Sequence, residues 1–331
     1  MFTKRFGLLF CLFLLLAVPS WGSDNRPLFH VITVEGVITA PTASYVADSI
    51  NAARDAGAEG LILLLDTPGG MDTAMRDIAK SILNAPLPVI VYVYPSGARA
   101  ASAGVIIAQA AHVAAMAPGT NIGAAHPVAV GIGGPAEMDK TMSEKIENDA
   151  AAYVRSIAKI RGRSAEWAEK AVRKSESITA DEALKLRVID VVAGDIDKLL
   201  AAVDQREVEV AGEKRKINTA NARAEEVKIG TRQSILSAIS NPNIAYLLLL
   251  IGLAGLYFEF SNPGAILPGV IGGISLLLAF FGMSTLPVNY TGVLLILFSI
   301  ILFIAEIKVM SYGLLTVGGV ISLALGSFML F

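Results

Sequence analysis

The feature that most constrains this chain is its C-terminal part, which carries almost no charge. After Pro242 only Glu259, Glu306 and Lys308 are charged, and hydrophobic residues make up 54% of the 331-residue sequence. Four apolar spans follow one another there, near Ile244–Phe260, Ala265–Met283, Gly292–Ala305 and Tyr312–Phe331. Each approaches the length that a helix needs to cross a bilayer, although the third is short. We therefore predict an all-α transmembrane region over residues 241–331, in a multi-pass protein of the cell membrane.

The N-terminal segment has the three parts of a secretory signal peptide. Two basic residues precede an apolar run over residues 6–18, and small residues follow near Gly22 and Ser23. We predict cleavage there, which gives a signal peptide over residues 1–23; an uncleaved anchor helix is the alternative. In either case the next domain is expected on the extracytoplasmic, periplasmic side of the membrane. At the other end, the last apolar span has no polar flank, so we expect either that the sequence is truncated or that a C-terminal domain has been lost.

Between these segments, residues 24–204 alternate apolar strands with amphipathic helices. Gly60–Leu65 is an unbroken apolar run, which is typical of a parallel strand buried on both faces. Residues 43–56 instead repeat their apolar positions with a helical period. Alternating units of this length predict an α/β domain with a mainly parallel sheet. Residues 205–240 alternate charged and polar side chains, and we interpret them as a stalk or linker with little structure.

The numbers of charged residues, cysteines and histidines limit which partners and which catalytic groups the chain can have. With 27 basic and 29 acidic side chains, the chain has no basic excess that would indicate a nucleic-acid partner. Its one cysteine, Cys11, lies in the predicted signal peptide, so thiol catalysis and cysteine-bound metals are excluded from the mature chain. The three histidines, His30, His112 and His126, are too widely spaced for a metal-binding motif. We therefore expect no metal and no cofactor.

A turn between an apolar strand and a helix carries the candidate nucleophile, Ser102. The apolar run Val89–Tyr94 leads through the small residues of Gly97–Gly104 into a second apolar run. A serine at such a turn has its hydroxyl near the unpaired N–H groups that begin a helix, where a developing oxyanion would be stabilised. The alternative is that these small residues only pack the helix closely against the sheet.

Backbone N–H groups near Ser102 are candidates for an oxyanion hole. Pro68-Gly69-Gly70 follows the predicted buried strand, and the carboxyl ends of parallel strands open onto the same crevice. The N–H groups of Gly69 or Gly70 are therefore expected to converge with that of Ala103 on one oxygen atom. Each donor of this kind is worth about 10²–10³ in rate.

Two residues are candidates for the general base. Lys145 lies in a helix predicted over about residues 141–160, at the edge of its apolar stripe. A lysine acts as a base only when it is neutral, which requires burial to lower a pKa that is ordinarily about 10.4. Asp149, one helical turn away, favours the charged form of Lys145, and a plain surface ion pair is the alternative for these two residues. A histidine needs no such tuning to act as a base, so His126, on a predicted loop, is the second candidate and the residues alone leave the choice open.

Segments around these candidate residues combine into a specific pattern. They are Asp66–Gly70, Ala101–Gly104 and Ala117–Pro127. Together they closely resemble the long NfeD-type membrane serine proteases, which are relatives of the Clp protease and of signal peptide peptidase A. Three further segments resemble the membrane region of that family, namely Gly255–Glu259, Pro263-Gly264 and Pro268-Gly269. The resemblance implies a Clp/crotonase-type α/β spiral, a Ser–Lys dyad, a preference for hydrophobic cleavage sites and partner membrane proteins of the stomatin/SPFH class.

The resemblance also implies roles for single residues. Ser102 matches the family's nucleophile and Lys145 its dyad lysine, whereas His126 falls roughly where the Clp protease has its catalytic histidine. The segment Arg173–Ser175 offers no acid at the matching position of a third catalytic residue, which favours a dyad over a triad. Long members of the family also carry a soluble C-terminal OB-fold domain, which we do not expect within residues 1–331.

These observations predict a membrane-anchored serine endopeptidase with a protease domain over residues 24–204. It would act as a homo-oligomer, a dimer or larger, on hydrophobic segments of membrane-associated polypeptides. A non-catalytic membrane scaffold that organises SPFH-type proteins is the alternative from another functional class. A crotonase-like acyl-CoA enzyme is a third possibility, against which the signal peptide argues because CoA esters are cytoplasmic.

Overall fold

The structure is a computed structural model that describes most of the chain from residue 26 onwards. The described residues are 26–128, 130–131, 134–135, 139–227, 230, 235–236, 238–261, 266–284, 290–308 and 312–329. The predicted signal peptide, residues 1–23, lies outside the described residues, as does part of the predicted stalk.

The elements of the N-terminal part alternate strands with helices, as the sequence predicts. In chain order they are β1 (Leu28–Glu35), α1 (Ala40–Asp55), β2 (Gly60–Asp66), α2 (Asp72–Leu83), β3 (Val89–Val93), β4 (Arg99–Ala101), α3 (Ala103–Ala110), β5 (Val113–Met116), β6 (Asn121–Gly123), β7 (Val130–Gly131), β8 (Gly134–Pro135), α4 (Lys140–Ile160), α5 (Ala165–Arg173), β9 (Ser177–Thr179), α6 (Ala180–Lys185), β10 (Val191–Val192), α7 (Ile196–Val203), β11 (Glu207–Val210), β12 (Glu213–Lys216) and β13 (Arg223–Glu226). The apolar part after them contains α8 (Pro242–Ser261), α9 (Ile266–Ser284), α10 (Tyr290–Lys308) and α11 (Leu314–Met329).

A parallel sheet lies at the centre of the N-terminal part. Its six strands run in the order β10-β5-β3-β2-β1-β13, and every neighbouring pair is parallel. All five residues of β3 are buried, and β2 has only half-buried and buried positions, because both faces of the sheet are covered. The predicted fold class, a parallel-sheet α/β domain followed by an all-α region, is confirmed.

Two apolar cores cover the two faces of this sheet. On one face, side chains of β1, β2 and β3 such as Ile32 and Leu63 pack against helices α1 to α6. On the other face, Phe29, Ile62 and Tyr92 pack against α7 and the β11–β12 hairpin. Successive side chains of a strand point to opposite faces, so alternate residues of each strand pack into different cores. Burying one such side chain contributes about 1.5–3 kcal/mol.

A second, smaller sheet stands beside the first and positions the Ser102 turn. Strand β4 pairs in parallel with β6, and β6 pairs antiparallel with β9. A single bridge between Thr67 and Ala100 connects β4 to the end of β2. The sequence predicts only a turn at Gly97–Gly104, because a three-residue strand without alternation leaves no periodic signal.

The segment predicted as a weakly structured stalk contains ordered strands over residues 207–226. The β11–β12 hairpin closes one face of the sheet, and β13 forms its edge beside β1. These strands are short and carry charged side chains, which is common at sheet edges. Because of these charged side chains, a hydrophobicity pattern does not predict the strands.

The apolar C-terminal part is helical. Among the described residues, the helix Asn243–Ser261 is long and apolar enough to cross a membrane. Shorter apolar helices follow it, Leu267–Met283, Thr291–Glu306 and Leu314–Met329. Helices α8 and α9 approach closely at Gly255 and Gly272. A Cβ atom added to Gly255 would lie 2.8 Å from the Gly272 Cα atom. Small residues at helix contacts of this kind are typical of packing in membranes.

Candidate active site

Ser102 lies between β4 and α3 in an unusual backbone conformation. It is the N-cap residue of α3, with φ 52° and ψ −112°, and its own N–H donates to the Gly123 carbonyl oxygen at 3.0 Å. A non-glycine residue in such a conformation costs about 1–3 kcal/mol, so the surrounding structure must hold it. The pairing of β4 with β6 supplies that constraint and presents a half-buried serine side chain at the start of a helix.

A cleft of about 480 Å³ runs past Ser102 and collects most of the predicted site residues. Its polar and backbone lining includes Gly70, Ser102, Ala103 and Lys145. Residues from α2, α3, α4 and the loop after β6 form its walls, so segments far apart in the sequence meet there. Gly70 lies just beyond the carboxyl end of β2, as the rule for parallel strands predicts, and Ser102 directly follows β4, which is bridged to Thr67 at that end.

The backbone N–H groups at the cleft differ in availability. The N–H of Gly69 donates to Thr67 Oγ1 at 3.0 Å, so this group is already bonded within the chain. Among the residues that the structure describes, the N–H groups of Gly70 and Ala103 have no acceptor. Both line the cleft, whereas Gly69 is buried behind it. The structure therefore leaves Gly70 and Ala103 as free donors and departs from the expectation for Gly69.

Gly69 instead makes room for the nucleophile. Its φ of +122° is one that L side chains rarely adopt, and a Cβ atom added there would lie 2.6 Å from Ser102 Cβ and 3.0 Å from Ser102 Oγ. Thr67 holds this turn, because its hydroxyl also donates to the Gly36 carbonyl oxygen at 2.7 Å. The Thr67 contribution has no signal in the sequence, since its partner is 31 residues away.

His126 turns away from the cleft. Its neighbours Ala125 and Pro127 line the cleft, but the half-buried ring of His126 does not. His126 Nδ1 lies 3.0 Å from the carbonyl oxygen of Val172 in α5. Because a carbonyl oxygen can only accept a hydrogen bond, Nδ1 carries the proton in this contact. Sequence reasoning places His126 on a loop near the site but gives no direction for its side chain.

Lys145 lines the cleft from α4 and is exposed. The ion pair that its spacing predicts with Asp149 is not formed. Arg76 of α2 binds Asp149 instead, with 2.5 Å between Arg76 Nη2 and Asp149 Oδ2. In the described part of the chain, Lys145 makes no ion pair. Arg76 was missed by the sequence analysis, because it lies 73 residues from Asp149 in the chain.

Besides the charged side chains of Asp72, Arg76 and Asp149, the cleft has an apolar wall. It consists of side chains from three helices and the loop after β6, namely Met75, Ile106, Ala125, Pro127, Val128, Ile146 and Ala150. Val128 is 75% exposed, so the rim of the cleft presents apolar surface to solvent. The described residues contain no group of three or more His, Cys, Asp and Glu side chains placed to hold a metal ion.

Known protein families match almost the entire described chain. The NfeD1b N-terminal domain matches residues 28–213, and the NfeD integral membrane domain matches residues 243–331. Among curated relatives, the membrane-bound protease PH1510 of Pyrococcus horikoshii is 38% identical over 308 residues, which is 92% of this chain and 69% of the relative. Membrane protein NfeD1b of Bacillus subtilis is 30% identical over 333 residues, which is 95% of this chain and 71% of the relative.

Solved structures agree with these sequence matches. The 1510-N membrane-bound stomatin-specific protease, solved with one lysine replaced by alanine and a substrate peptide bound, superposes with a TM-score of 0.61 at 37% identity, covering 65% of this chain and 98% of that one. A variant of the same protease with one serine replaced by alanine gives a TM-score of 0.58 at 38% identity, covering 62% of this chain and 99% of that one. We conclude that the chain belongs to the NfeD family and is a membrane-bound serine protease of that family.

Proposed function

We propose that Ser102 is the nucleophile and Lys145 the general base of this protease. The observation that carries the proposal is the single cleft lined by Ser102, Lys145, Gly70 and Ala103. His126 is the weaker candidate for the base, because its ring contacts Val172 outside that cleft. The solved relatives in which one serine and one lysine were replaced by alanine support a dyad of these two residue types.

The proposed reaction is the hydrolysis of a peptide bond through an acyl-enzyme. Ser102 Oγ attacks the carbonyl carbon while its proton passes to Lys145 Nζ, and the N–H groups of Gly70 and Ala103 donate to the resulting oxyanion. Lys145 then gives the proton to the leaving amine. A water molecule, deprotonated by Lys145, attacks the ester and releases Ser102. Removing one oxyanion donor would cost about 10²–10³ in rate.

The substrate that we propose is a hydrophobic segment of a membrane-associated protein of the stomatin/SPFH class. The apolar wall of the cleft, with exposed Val128 at its rim, favours such a segment. One solved relative is a stomatin-specific protease with a substrate peptide bound. A lysine base must be uncharged, and water stabilises its charged form. A bound polypeptide would therefore also assist the reaction by covering exposed Lys145.

The proposed organisation follows from the same family. We propose a protease domain over residues 24–204, a linker over residues 205–240 and a multi-pass membrane region over residues 241–331. The protease domain would lie on the extracytoplasmic side, and the protein would form homo-oligomers. The match of residues 243–331 to the NfeD integral membrane domain supports attachment to the lipid bilayer.

The test compares cleavage of a peptide with a hydrophobic centre by the full chain in detergent and by three variants. We expect Ser102→Ala and Lys145→Ala to abolish cleavage, and His126→Ala to retain most of it, with unchanged unfolding midpoints in all three. Cleavage by Lys145→Ala together with an inactive His126→Ala would overturn the base assignment. An active Ser102→Ala variant would overturn the nucleophile, and a native chain that cleaves no such peptide would favour a scaffold.

A further inference from the structure

A cluster of charged side chains stands beside the proposed dyad on the wall of the cleft. Arg76 of α2 is at its centre. Its Nε atom donates to Asp72 Oδ2 at 2.8 Å, and its Nη2 atom donates to Asp149 Oδ2 at 2.5 Å. The guanidinium carbon also lies 4.4 Å from the centre of the Tyr153 ring. Arg76, Asp72 and Asp149 all line the same cleft as Ser102 and Lys145.

The position of Asp149 gives this cluster its significance. Asp149 and Lys145 are four residues apart on α4, which is the spacing at which a carboxylate and an amine on a helix normally pair. Arg76 reaches across from α2 and takes the carboxylate instead. A carboxylate next to an amine favours the charged ammonium, so this competition bears directly on whether Lys145 can accept a proton.

Among the described residues, three charged side chains share the cleft with Lys145, and its exposed α4 neighbour Glu144 does not line the cleft. Helix α2 contributes Asp72 and Arg76 to the cleft, α3 has no charged residue, and α4 contributes Asp149 besides Lys145. The loop residue His126 contacts Val172 outside the cleft. Charges between α4 and α5 are paired with one another and do not line the cleft; these pairs are Arg155–Glu169 and Glu147–Arg173.

We propose that Arg76 is a positioning residue of the dyad, which binds Asp149 and Asp72 and so keeps both carboxylates from pairing with the Lys145 amine. The proposal rests on the Ser102–Lys145 function argued above. It assigns to Arg76 no contact with the reacting atoms. Its effect is to leave the amine that shares the cleft with Ser102 without an anionic partner and to add a fixed positive charge to that cleft.

Arginine suits this task better than lysine. Its planar fork of five N–H donors serves two carboxylates at once, and its flat face stacks on Tyr153, whereas an ammonium is a single compact charge. Burial lowers the pKa of Arg76, but the hydrogen bond and charge of Asp72 and the charge of Asp149 outweigh burial and raise it above its usual value. Arg76 therefore stays charged over the whole range in which a lysine base would titrate.

The test is the pH profile of kcat/KM for peptide cleavage by the full chain and by Arg76→Met. Without Arg76, the carboxylates are free to hold Lys145 in its charged form. We expect the acid limb of the profile to move up by about one pH unit, which is roughly a 10-fold loss below the limb, while the alkaline plateau stays within about twofold of native. Adding Asp149→Asn to Arg76→Met should move the limb back towards the native position.

Two further variants make the comparison specific. Arg155→Met removes an arginine of α4 that is paired with Glu169 outside the cleft, and it should leave the acid limb in place. Arg76→Lys keeps the charge but binds one carboxylate at a time, and it should shift the limb less than Arg76→Met. An Arg76→Met profile lowered equally at all pH values, or not lowered at all, would overturn the proposal.

A second measurement separates this proposal from the catalytic one. In the inactive Ser102→Ala background, the rate at which an amine-reactive acylating reagent modifies Lys145 reports its uncharged fraction at each pH. Arg76→Met should move that labelling curve to higher pH as well, and an unmoved curve contradicts the role of Arg76. Activity that survives in Lys145→Ala refutes the dyad instead, whatever the labelling shows.

Discussion

At the scale of single residues, the site depends on how closely two turns approach each other. Gly69 follows β2 and Ser102 follows β4, and no side chain separates them. The missing Cβ atom of Gly69 leaves the space that the Ser102 side chain occupies, and the next residue, Gly70, lines the cleft. Gly69 therefore acts through its shape, and its neighbour Gly70 is the residue that we propose as the oxyanion donor.

Gly69→Ala is expected to inactivate the enzyme without unfolding it. The added Cβ atom would lie 2.6 Å from Ser102 Cβ, so the nucleophile must move. A displacement of about 1 Å at a reacting atom can cost about 10²-fold in rate, and we expect at least that loss in kcat/KM. The measurement is peptide cleavage by the full chain together with its unfolding midpoint.

Gly97→Ala is the matched control for this prediction. Gly97 also has a positive φ, +92°, but a Cβ atom added there meets nothing within 4 Å. Both variants carry a similar backbone strain, and only one of them touches Ser102. Equal activities for the two variants would mean that strain, and not the contact with Ser102, controls the rate.

The site residues divide into those that sequence could reveal and those that it could not. Ser102, Gly70 and Ala103 follow from one rule, since parallel strands end at a common edge and small residues mark the turns there. The contact between Arg76 and Asp149 has no such rule, because it joins two helices whose packing depends on the whole core. The direction of the His126 ring likewise depends on a tertiary contact, that with the Val172 carbonyl oxygen.

At the scale of elements, the long apolar strands were predictable and the short polar ones were not. Residues 60–66 are apolar enough to require burial on both faces, which makes a parallel sheet the expected solution. Strands β12 and β13 are held by backbone pairing with β11 and β1, and backbone pairing leaves little trace in side-chain polarity. Their charged residues therefore resemble a solvated stalk in the sequence alone.

His112 connects the starts of two central strands and sets a pH limit on this sheet. Its Nδ1 atom accepts the N–H of Val89 at 3.1 Å, and the ring is 6% exposed. Burial, followed by the positive charges of Arg161 and Arg163, lowers the pKa of His112 from 6.5 to about 3. In the folded state the imidazole of His112 is therefore neutral at pH values above about 3.

Acidification should destabilise the native chain more steeply than a His112→Asn variant. Between pH 6.5 and about 3 the unfolded His112 binds a proton that the folded one does not, so stability falls as the pH falls through this window. The slope is at most about 1.4 kcal/mol per pH unit. Asparagine retains an acceptor for Val89 but does not titrate. Unfolding midpoints of both proteins at pH 7 and pH 5 measure the difference, and parallel changes would contradict the role of His112.

At the scale of the whole molecule, a polar enzyme domain is joined to an apolar helical region with its own packing. In that region α10 and α11 approach closely, since a Cβ atom added to Gly326 would lie 2.9 Å from the Gly292 carbonyl oxygen. Hydropathy predicts such helices because lipid requires every backbone group to be paired within the helix. Which helices pair is decided by glycine positions, and hydropathy does not report those.

The proposed topology predicts opposite labelling of two engineered cysteines. In a Cys11→Ser background, Lys174→Cys lies on the exposed surface of the protease domain, and Tyr312→Cys replaces a 97% exposed residue just before α11. If α8, α9 and α10 each cross the bilayer from an extracytoplasmic start, residue 312 reaches the cytoplasm, where nearby Lys308 is favoured. A membrane-impermeant maleimide should then label Lys174→Cys in intact spheroplasts and Tyr312→Cys only after permeabilisation. Labelling of Tyr312→Cys from outside would remove one crossing, and protection of Lys174→Cys would place the protease domain in the cytoplasm.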